Sequence, residues 1–183
     1  MIRTGYWIVA GFAAAACMSS REARSGDSTA AAVADSMSPG NGAAAEMRDA
    51  VGGALGTILL SELNGNVMLS GSLRGVPPGK HGMHIHATRR CEPPFESAGD
   101  HWNPTSSKHG LENPAGPHHG DMMALSSAPD SIATVQHSLA AGTMSELFDG
   151  DGATLIIHAM DDDQRTDPSG NSGDRIACGV IIR

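Results

Sequence analysis

Three histidines lie within the short stretch "KHGMHIH", residues 80–86, of a chain that has nine histidines in total. In a β-strand successive side chains point to opposite faces, so His84 and His86 would share one face and His81 would take the other. Two imidazoles on one face of a rigid strand can bind the same metal ion. Isolated histidines are more often solvated or packed in the core, so this stretch alone leaves both interpretations open.

Further potential ligands follow along the chain. The segment 87–130 is rich in Pro, Gly and Ser and has little strand pattern, yet it contains four histidines and Asp121. A connection of this length is usually functional or disordered, and a bound metal would give it a reason to be ordered. Mostly-imidazole sites suit copper and zinc, and two adjacent sites would account for the number of ligands. The candidates are His84, His86, His101, His109, His118, His119, Asp121 and His158.

The elements that must position these side chains are short strands. The runs "LGTILLSEL" and "NVMLSGSL" are joined through Asn64-Gly65, a strong hairpin signal, and "HGMHIHA" is a third predicted strand. The runs "SIATVQH", "ATLIIHA" and "IACGVII" are three more, and "TMSELF" predicts one helical turn. Many short strands separated by turn signals predict an all-β sandwich or barrel.

Charge and the N-terminus restrict where the protein acts. The formal net charge is -8 and no basic block stands out, which argues against nucleic acid as a partner. Residues 1–16 resemble an export signal, with one Arg and an apolar run too short to span a bilayer. The alanines before Cys17 resemble a lipobox and predict Cys17 as a lipidated mature N-terminus, with plain signal cleavage near Ala16 as the alternative. Residues 17–45, rich in Ala, Ser and Gly, are predicted to be a flexible tether, and residues 46–183 the domain.

Two cysteines remain for the domain. Cys91 and Cys178 form an even pair, which can form a disulfide in an oxidising compartment or remain as two free thiols.

Six separated motifs carry a family resemblance. The motifs "HGMHIH", "SAGDHWNP", "KHG", "HHGD", "LIIHAMDDD" and "GNSGDRIACGVI" occur in the order and approximate spacing of the copper/zinc superoxide dismutases. The resemblance runs from about residue 46 to the C-terminus. It implies a Greek-key β-sandwich or barrel of immunoglobulin-like type with two long functional loops. It also implies an enzyme that converts superoxide to oxygen and hydrogen peroxide by Cu(II)/Cu(I) cycling.

The resemblance also assigns roles to single residues. Copper would be bound by His84, His86, His101 and His158, and zinc by the bridging His101 with His109, His118 and Asp121. The His-x-x-Asp spacing favours His118 over His119 as the zinc ligand. Asp162 would orient ligands from both sites, Cys91 and Cys178 would form a disulfide, and Arg175 would orient the anionic substrate beside copper. His81 would be structural, and His137 matches nothing and is expected at the surface.

Several residues depart from the family pattern. Met83 and His119 replace other residue types, and Met122, Met123 and Met160 are close to ligands in sequence. The methionines are expected to fill gaps in the core rather than hold copper. Arg89, Arg90, Lys108 and Arg165 either add to a field that attracts the anion or are simply solvated.

Three functions are considered for a chain with these residues: a superoxide dismutase, a metal-binding module and a zinc hydrolase. An exported superoxide dismutase of the periplasm or cell envelope, monomeric or homodimeric, is the leading hypothesis. A non-catalytic copper/zinc-binding module for metal buffering or delivery is the alternative, and Arg175 favours the enzyme because storage needs no anion-binding charge. A zinc hydrolase is disfavoured because four protein ligands leave no open position on zinc.

Overall fold

The computed structural model describes Met1, residues 42–148 and residues 150–183. The chain divides into the units Met1–Ala34 and Asp35–Arg183, and every element described below lies in the second. The predicted export signal, Cys17 and most of the predicted tether fall outside the described residues. The strands are β1 Gly42–Asp49, β2 Ala54–Leu63, β3 Asn66–Arg74, β4 Gly79–His81, β5 Met83–His86, β6 Leu125–Ser127, β7 Ile132–Ser138, β8 Thr154–His158 and β9 Arg175–Ile182, with a 3₁₀ turn at Glu96–Ala98 and helix α1 at Met144–Leu147.

The strands form a nearly closed antiparallel barrel. Their order is β4-β6-β7-β3-β2-β1-β9-β8-β5, so the two edge strands are consecutive in the chain. The seam lies at Gly82, whose N–H donates to the carbonyl of Met160 at 2.7 Å and whose carbonyl accepts from the N–H of His158 at 2.8 Å. The all-β prediction is confirmed, in its barrel form.

Alternating apolar side chains fill the barrel. Ile58 and Leu60 of β2, and Val67 and Leu69 of β3, are almost fully buried, as the period of two in a strand requires. The hairpin between these strands closes at Asn64-Gly65, where both residues have positive φ, 53° and 78°. Such turns match the twist of the strands that they join, so this predicted hairpin is confirmed.

The first strand corrects the predicted domain boundary. Residues 42–45 were assigned to the tether, but they form the first half of β1, which pairs with both β2 and β9. Ala43, Ala45 and Met47 alternate into the core with exposures of 4%, 0% and 1%. Alanine has little intrinsic strand preference, so pairing with two neighbours, and not composition, decides the conformation here.

The stretch "HGMHIH" forms two strands where one was predicted. β4 pairs with β6 and β5 pairs with β8, at opposite ends of the strand order. Gly82 separates them, and a Cβ added there would lie 2.5 Å from Ser172 Oγ. His81 therefore lies on a different strand from His84 and His86.

The predicted helical turn at "TMSELF" is present. α1 is a single turn with a capping box, in which the Thr143 hydroxyl accepts from the Glu146 N–H while the Glu146 carboxylate accepts from the Thr143 N–H. Met144 and Leu147 of this turn are buried. In the described part of the chain, no helix is long and apolar enough to cross a membrane.

Candidate metal centre

Four buried histidines meet at one end of the barrel. β5 contributes His84 and His86, β8 ends in His158, and His101 follows the 3₁₀ turn and pairs with His86 through an isolated β-bridge. Their side-chain ligand atoms all lie within 4.8 Å of one another. The rigid strands therefore hold three of the rings, and the first long loop, residues 87–124 between β5 and β6, supplies the fourth.

Hydrogen bonds on the outer side of three rings fix which nitrogen points inward. Nδ1 of His86 lies 2.8 Å from the Gly99 carbonyl and Nδ1 of His158 lies 3.0 Å from the Gly173 carbonyl. Nε2 of His84 lies 2.6 Å from Asp162 Oδ2. A carbonyl or carboxylate can only accept, so each of these nitrogens carries the proton and the opposite nitrogen has a free lone pair.

The inward-facing nitrogens have no hydrogen-bond partner among the described residues. They are His84 Nδ1, His86 Nε2, His101 Nε2 and His158 Nε2, and all four atoms are buried. A buried acceptor without a partner costs about 1–3 kcal/mol, and four of them facing one point fit a cation. The donor set, four imidazole nitrogens, is one that copper accepts.

A second group of ligand atoms surrounds Asp121. Its Oδ1 lies 3.2 Å from His101 Nδ1, 3.0 Å from His109 Nδ1 and 3.4 Å from His118 Nδ1, and the last lies 3.3 Å from His101 Nδ1. Bonds of 2.0–2.1 Å in a tetrahedron place neighbouring ligand atoms about 3.3 Å apart. The residues therefore fit a zinc ion. His84, His101, His109 and Asp121 also lie within 4.8 Å of one another, because His84 is situated between the two groups.

Burial keeps three histidines of the first group, His84, His86 and His158, neutral. It lowers the pKa of His84 to about 3 and that of His158 to about 4, and it lowers the pKa of His86 well below its usual value. Burial likewise lowers the pKa of His118. Neutral imidazole is the form that binds a metal, so these rings need to lose no proton at pH 7.

His109 titrates in the opposite direction. Burial favours its neutral form, but hydrogen bonds to Asp121 and Asp162 outweigh burial and raise its pKa to about 9. Burial would raise the pKa values of both carboxylates, but their hydrogen bonds from histidines lower them instead. The metal-free centre therefore holds a proton on His109 in the place that a zinc ion would fill.

Arg175 is held at the wall of the cavity in front of the histidines. Its two terminal nitrogens donate to the carbonyls of Phe95 and Gly99, each at 2.7 Å. The cavity, about 540 Å³, is also lined by His86, His101 and His158. Burial lowers the pKa of Arg175, yet a guanidinium remains charged at any physiological pH.

The disulfide between Cys91 and Cys178 is present. It packs with Phe95, Ala98 and Ile156 in a small second core beneath the first long loop. Phe95 has a φ of 80°, unusual for a bulky residue, and its burial helps to hold this conformation. The bridge thus ties β9, which carries Arg175, to the segment whose carbonyls hold that arginine.

Three other histidines, His81, His119 and His137, are not part of the candidate metal centre. His119 packs edge-on against Trp102, with ring centroids 5.2 Å apart. His81 is buried, and its ring nitrogens lie 2.8 Å from the carbonyls of Pro77 and His158, as a structural role requires. His137 is half-buried, so its predicted place at the surface is only partly right, and burial lowers its pKa.

The methionines divide into two groups. Met83 and Met122 are buried in the core, as expected of gap-filling residues. Met123 and Met160 are 61% and 54% exposed, so the gap-filling prediction is wrong for them.

Three of the four additional cations form surface ion pairs. Lys108 pairs with Asp167, Arg90 with Glu92 and Arg165 with Glu112, at 2.9, 3.2 and 2.6 Å. Sequence reasoning missed Asp167, which also accepts a hydrogen bond from the backbone N–H of His109 at 2.9 Å. The only signal was its place in a loop rich in aspartate, where several carboxylates were equally good candidates.

Comparison with known proteins agrees with this geometry. The sequence model of the family "Copper/zinc superoxide dismutase (SODC)" matches residues 54–181. The chain belongs to the copper/zinc superoxide dismutase family. A superoxide dismutase [Cu-Zn] 2 of Aquifex aeolicus is 41% identical over 144 residues, which are 75% of this chain and 84% of that protein.

Solved structures show the same fold. A SOD-like protein from Bacillus subtilis has a TM-score of 0.70 at 34% identity, covering 76% of this chain and 97% of its own. The Cu/Zn superoxide dismutase from Brucella abortus has a TM-score of 0.65 at 27% identity, covering 77% and 99%. The family is one of oxidoreductases that use copper and zinc, as the family resemblance of the sequence predicted.

Proposed function

We propose that this chain is an exported superoxide dismutase that binds one copper and one zinc ion. The observation that carries the proposal is the convergence of buried, unpartnered imidazole nitrogens beside a fixed arginine at the wall of a solvent-accessible cavity. A protein that merely packed these histidines would leave their lone pairs unsatisfied, at a cost in stability.

The two ions would divide the ligands between them. His84, His86, His101 and His158 would bind copper, and His101, His109, His118 and Asp121 would bind zinc. His101 would bridge the ions, because its Nε2 faces the first group while its Nδ1 faces the second. We assign His118 rather than His84 to zinc, because the single free nitrogen of His84 belongs to the first group.

Asp162 would fix ligands of both ions. Its two oxygens lie 2.6 Å from His84 Nε2 and 3.1 Å from His109 Nε2. By accepting both protons it selects the tautomer in which Nδ1 of each ring is free for a metal.

The chain's own residues would bind and orient the substrate. Copper supplies one-electron redox chemistry when bound, so that two superoxide anions and two protons give oxygen and hydrogen peroxide. Arg175 attracts and orients the anion with a charge that does not titrate. His101 Nε2 is buried beside the cavity, and its one lone pair could accept a proton, in the half-reaction that consumes protons, only while that nitrogen does not bind copper.

The decisive test is dismutation by the full chain loaded with copper and zinc, beside Arg175→Ala. We expect fast turnover in the wild type and a fall of about tenfold or more in the variant, because the fixed charge beside the metal is lost. Arg90→Ala is the matched control and should retain activity, because Arg90 is exposed and its side chain pairs, among the described residues, with Glu92 alone. Stoichiometric metal binding without turnover in any of the proteins would favour metal buffering or delivery instead.

The export part of the proposal rests on residues 1–17. We propose that Cys17 carries a lipid which anchors the protein in the cell envelope, facing the periplasm. Radiolabelled palmitate supplied to cells should be incorporated into the wild type and not into Cys17→Ala. Label in neither protein, together with a soluble mature chain that begins near Cys17, would favour plain cleavage of a signal peptide.

A further inference from the structure

We infer that Asp167 is a second positioning carboxylate, in addition to Asp162, and that it holds the two proposed zinc ligands His109 and His118. The inference rests on the proposed zinc site. Asp162 and Asp167 both belong to the second long loop, residues 159–174, so this loop would hold the zinc ligands at two separate points.

The first contact is to the backbone of His109. Asp167 Oδ1 accepts a hydrogen bond from the His109 N–H at 2.9 Å, while Asp162 Oδ1 lies 3.1 Å from Nε2 of the same ring. One carboxylate therefore fixes the backbone of this residue and the other fixes its ring. Together they define where His109 Nδ1 points.

The second contact is to the outer nitrogen of His118. If Nδ1 of His118 binds zinc, Nε2 must carry the proton and needs an acceptor. The nearest carboxylate in the described residues is Asp167, whose Oδ1 lies 3.7 Å from Nε2. This distance is slightly longer than a hydrogen bond, and a small movement of the ring would close it.

Lys108 holds the carboxylate in this place. Its Nζ lies 2.9 Å from Asp167 Oδ2, leaving Oδ1 directed at the two histidines. Lys108 also offsets the negative charge of Asp167 in the lining of the cavity that the anionic substrate enters. A bare carboxylate there would oppose the attraction by Arg175.

Zinc release from the loaded full chain to a chromophoric chelator tests the inference. Loss of an outer carboxylate costs metal affinity about 10–100-fold, so Asp167→Ala should release zinc at least tenfold faster. Asp167→Asn keeps a neutral acceptor and should lie between this variant and the wild type. Lys108→Gln should have a smaller effect than either Asp167 variant, because Asp167 remains. Asp174→Asn removes an equal charge from the same loop, where its side chain makes no hydrogen bond to a described residue, and should release zinc at the wild-type rate.

The ring protons of the zinc-loaded protein separate positioning from a general loss of order. The His118 Nε2 proton should exchange faster with solvent in Asp167→Ala, while the His109 Nε2 proton, bonded to Asp162, should be unchanged. Equal zinc release and equal exchange in wild type and Asp167→Ala would overturn the role of Asp167 alone. A wild-type chain that retains no zinc would overturn the zinc site itself, and the inference with it.

Discussion

Gly170 of the second long loop lies beside Asp162 and His109, where there is no room for a side chain. It has a φ of 63°, and a Cβ added there would overlap Asp162 Oδ1 and come within 2.8 Å of His109 Nε2. The glycine thus gives the carboxylate room to reach both histidines. The site therefore requires that residue 170 has no side chain. A sequence motif made of metal ligands does not identify this requirement.

Gly170→Ala should therefore weaken zinc retention by about tenfold or more, because it displaces Asp162 from its ligands. Both this change and Gly150→Ala add a side chain at a left-handed residue, at a cost of about 1–2 kcal/mol. Gly150 has a φ of 62° with no atom within 4 Å of the added Cβ, so it is the matched control. Zinc release and free energies of unfolding measured on both would separate the two effects, and equal zinc release would contradict the explanation.

At the scale of elements, the disulfide joins the first long loop to β9. Cys91 and Cys178 are 87 residues apart in sequence, and closing a loop of this length stabilises a fold by about 4 kcal/mol. The double variant Cys91→Ser/Cys178→Ser should lose roughly that free energy of unfolding in urea with the metals removed. An unchanged free energy of unfolding would mean that the barrel alone orders the loop.

In the metal-loaded double variant, the dismutation rate should fall by a larger fraction than the metal content. Arg175 lies on β9, and the carbonyls that hold it belong to the loop that Cys91 anchors. His84, His86 and His158 lie on β5 and β8, outside the loop that Cys91 anchors, so copper content should fall less than activity. Metal content measured beside the dismutation rate checks the distinction, and a parallel loss of both would count against it.

The sequence predicted elements well where side chains alone carried the signal. The hairpin β2–β3, strands β7 to β9 and the one-turn helix follow from alternation, turn residues and capping. Composition predicts tether for residues 42–45, the first half of β1, because their alanines gain a strand conformation only by pairing with two neighbours. The division of "HGMHIH" depends on Ser172, which packs against Gly82, and on Met160, which pairs with it, about ninety and eighty residues away in sequence. Such distant partners leave no local pattern.

The ligands of the candidate site could be predicted from local sequence patterns, as the strands could. Every proposed ligand belongs to a short motif, and the structure brings all of them into two adjoining groups. The sequence could not predict the groups that hold the ligands and Arg175 in place through hydrogen bonds. Phe95 and Gly173 act through backbone carbonyls, which any residue can offer, and Asp167 is one of several similar aspartates.

At the scale of the whole molecule, an anion must approach a chain with a net charge of -8. The cavity is lined by Arg175, by Asp167 in its ion pair with Lys108, and by the exposed Asp100. Asp100 lies close enough to raise the pKa of Arg175 against the larger effect of burial. Its charge therefore opposes the field that attracts the substrate.

Asp100→Asn should raise the second-order rate constant for superoxide about twofold at low ionic strength. The gain should fade at high salt, since charges are screened over about 10 Å at 0.1 M. Pulse radiolysis across a salt series measures this. Asp130→Asn removes the same charge at the β6–β7 turn and should change the rate little. An equal gain in both variants would point to net charge and not to the cavity.

The metal-free molecule should be most stable near pH 6.5. Below this pH, His84, His86 and His158 take up protons in the unfolded state but stay neutral in the folded state. Burial lowers the folded pKa to about 3 for His84 and about 4 for His158, and lowers that of His86 well below its usual value. Stability is therefore lost as the pH falls, for His158 on the order of 3 kcal/mol by pH 4. His109 acts oppositely, because its folded pKa of about 9 makes the folded state bind more protons above pH 6.5.

Folded His109 therefore contributes stability that is present below pH 6.5 and lost as the pH rises through about 9. Zinc would remove this alkaline loss, because a bound metal replaces the proton. Calorimetry of the full chain in a chelator should give a Tm that falls on both sides of pH 6.5, while the zinc-loaded chain should fall only on the acid side. A metal-free chain as stable at pH 9 as at pH 6.5 would show that His109 is not held protonated between Asp121 and Asp162.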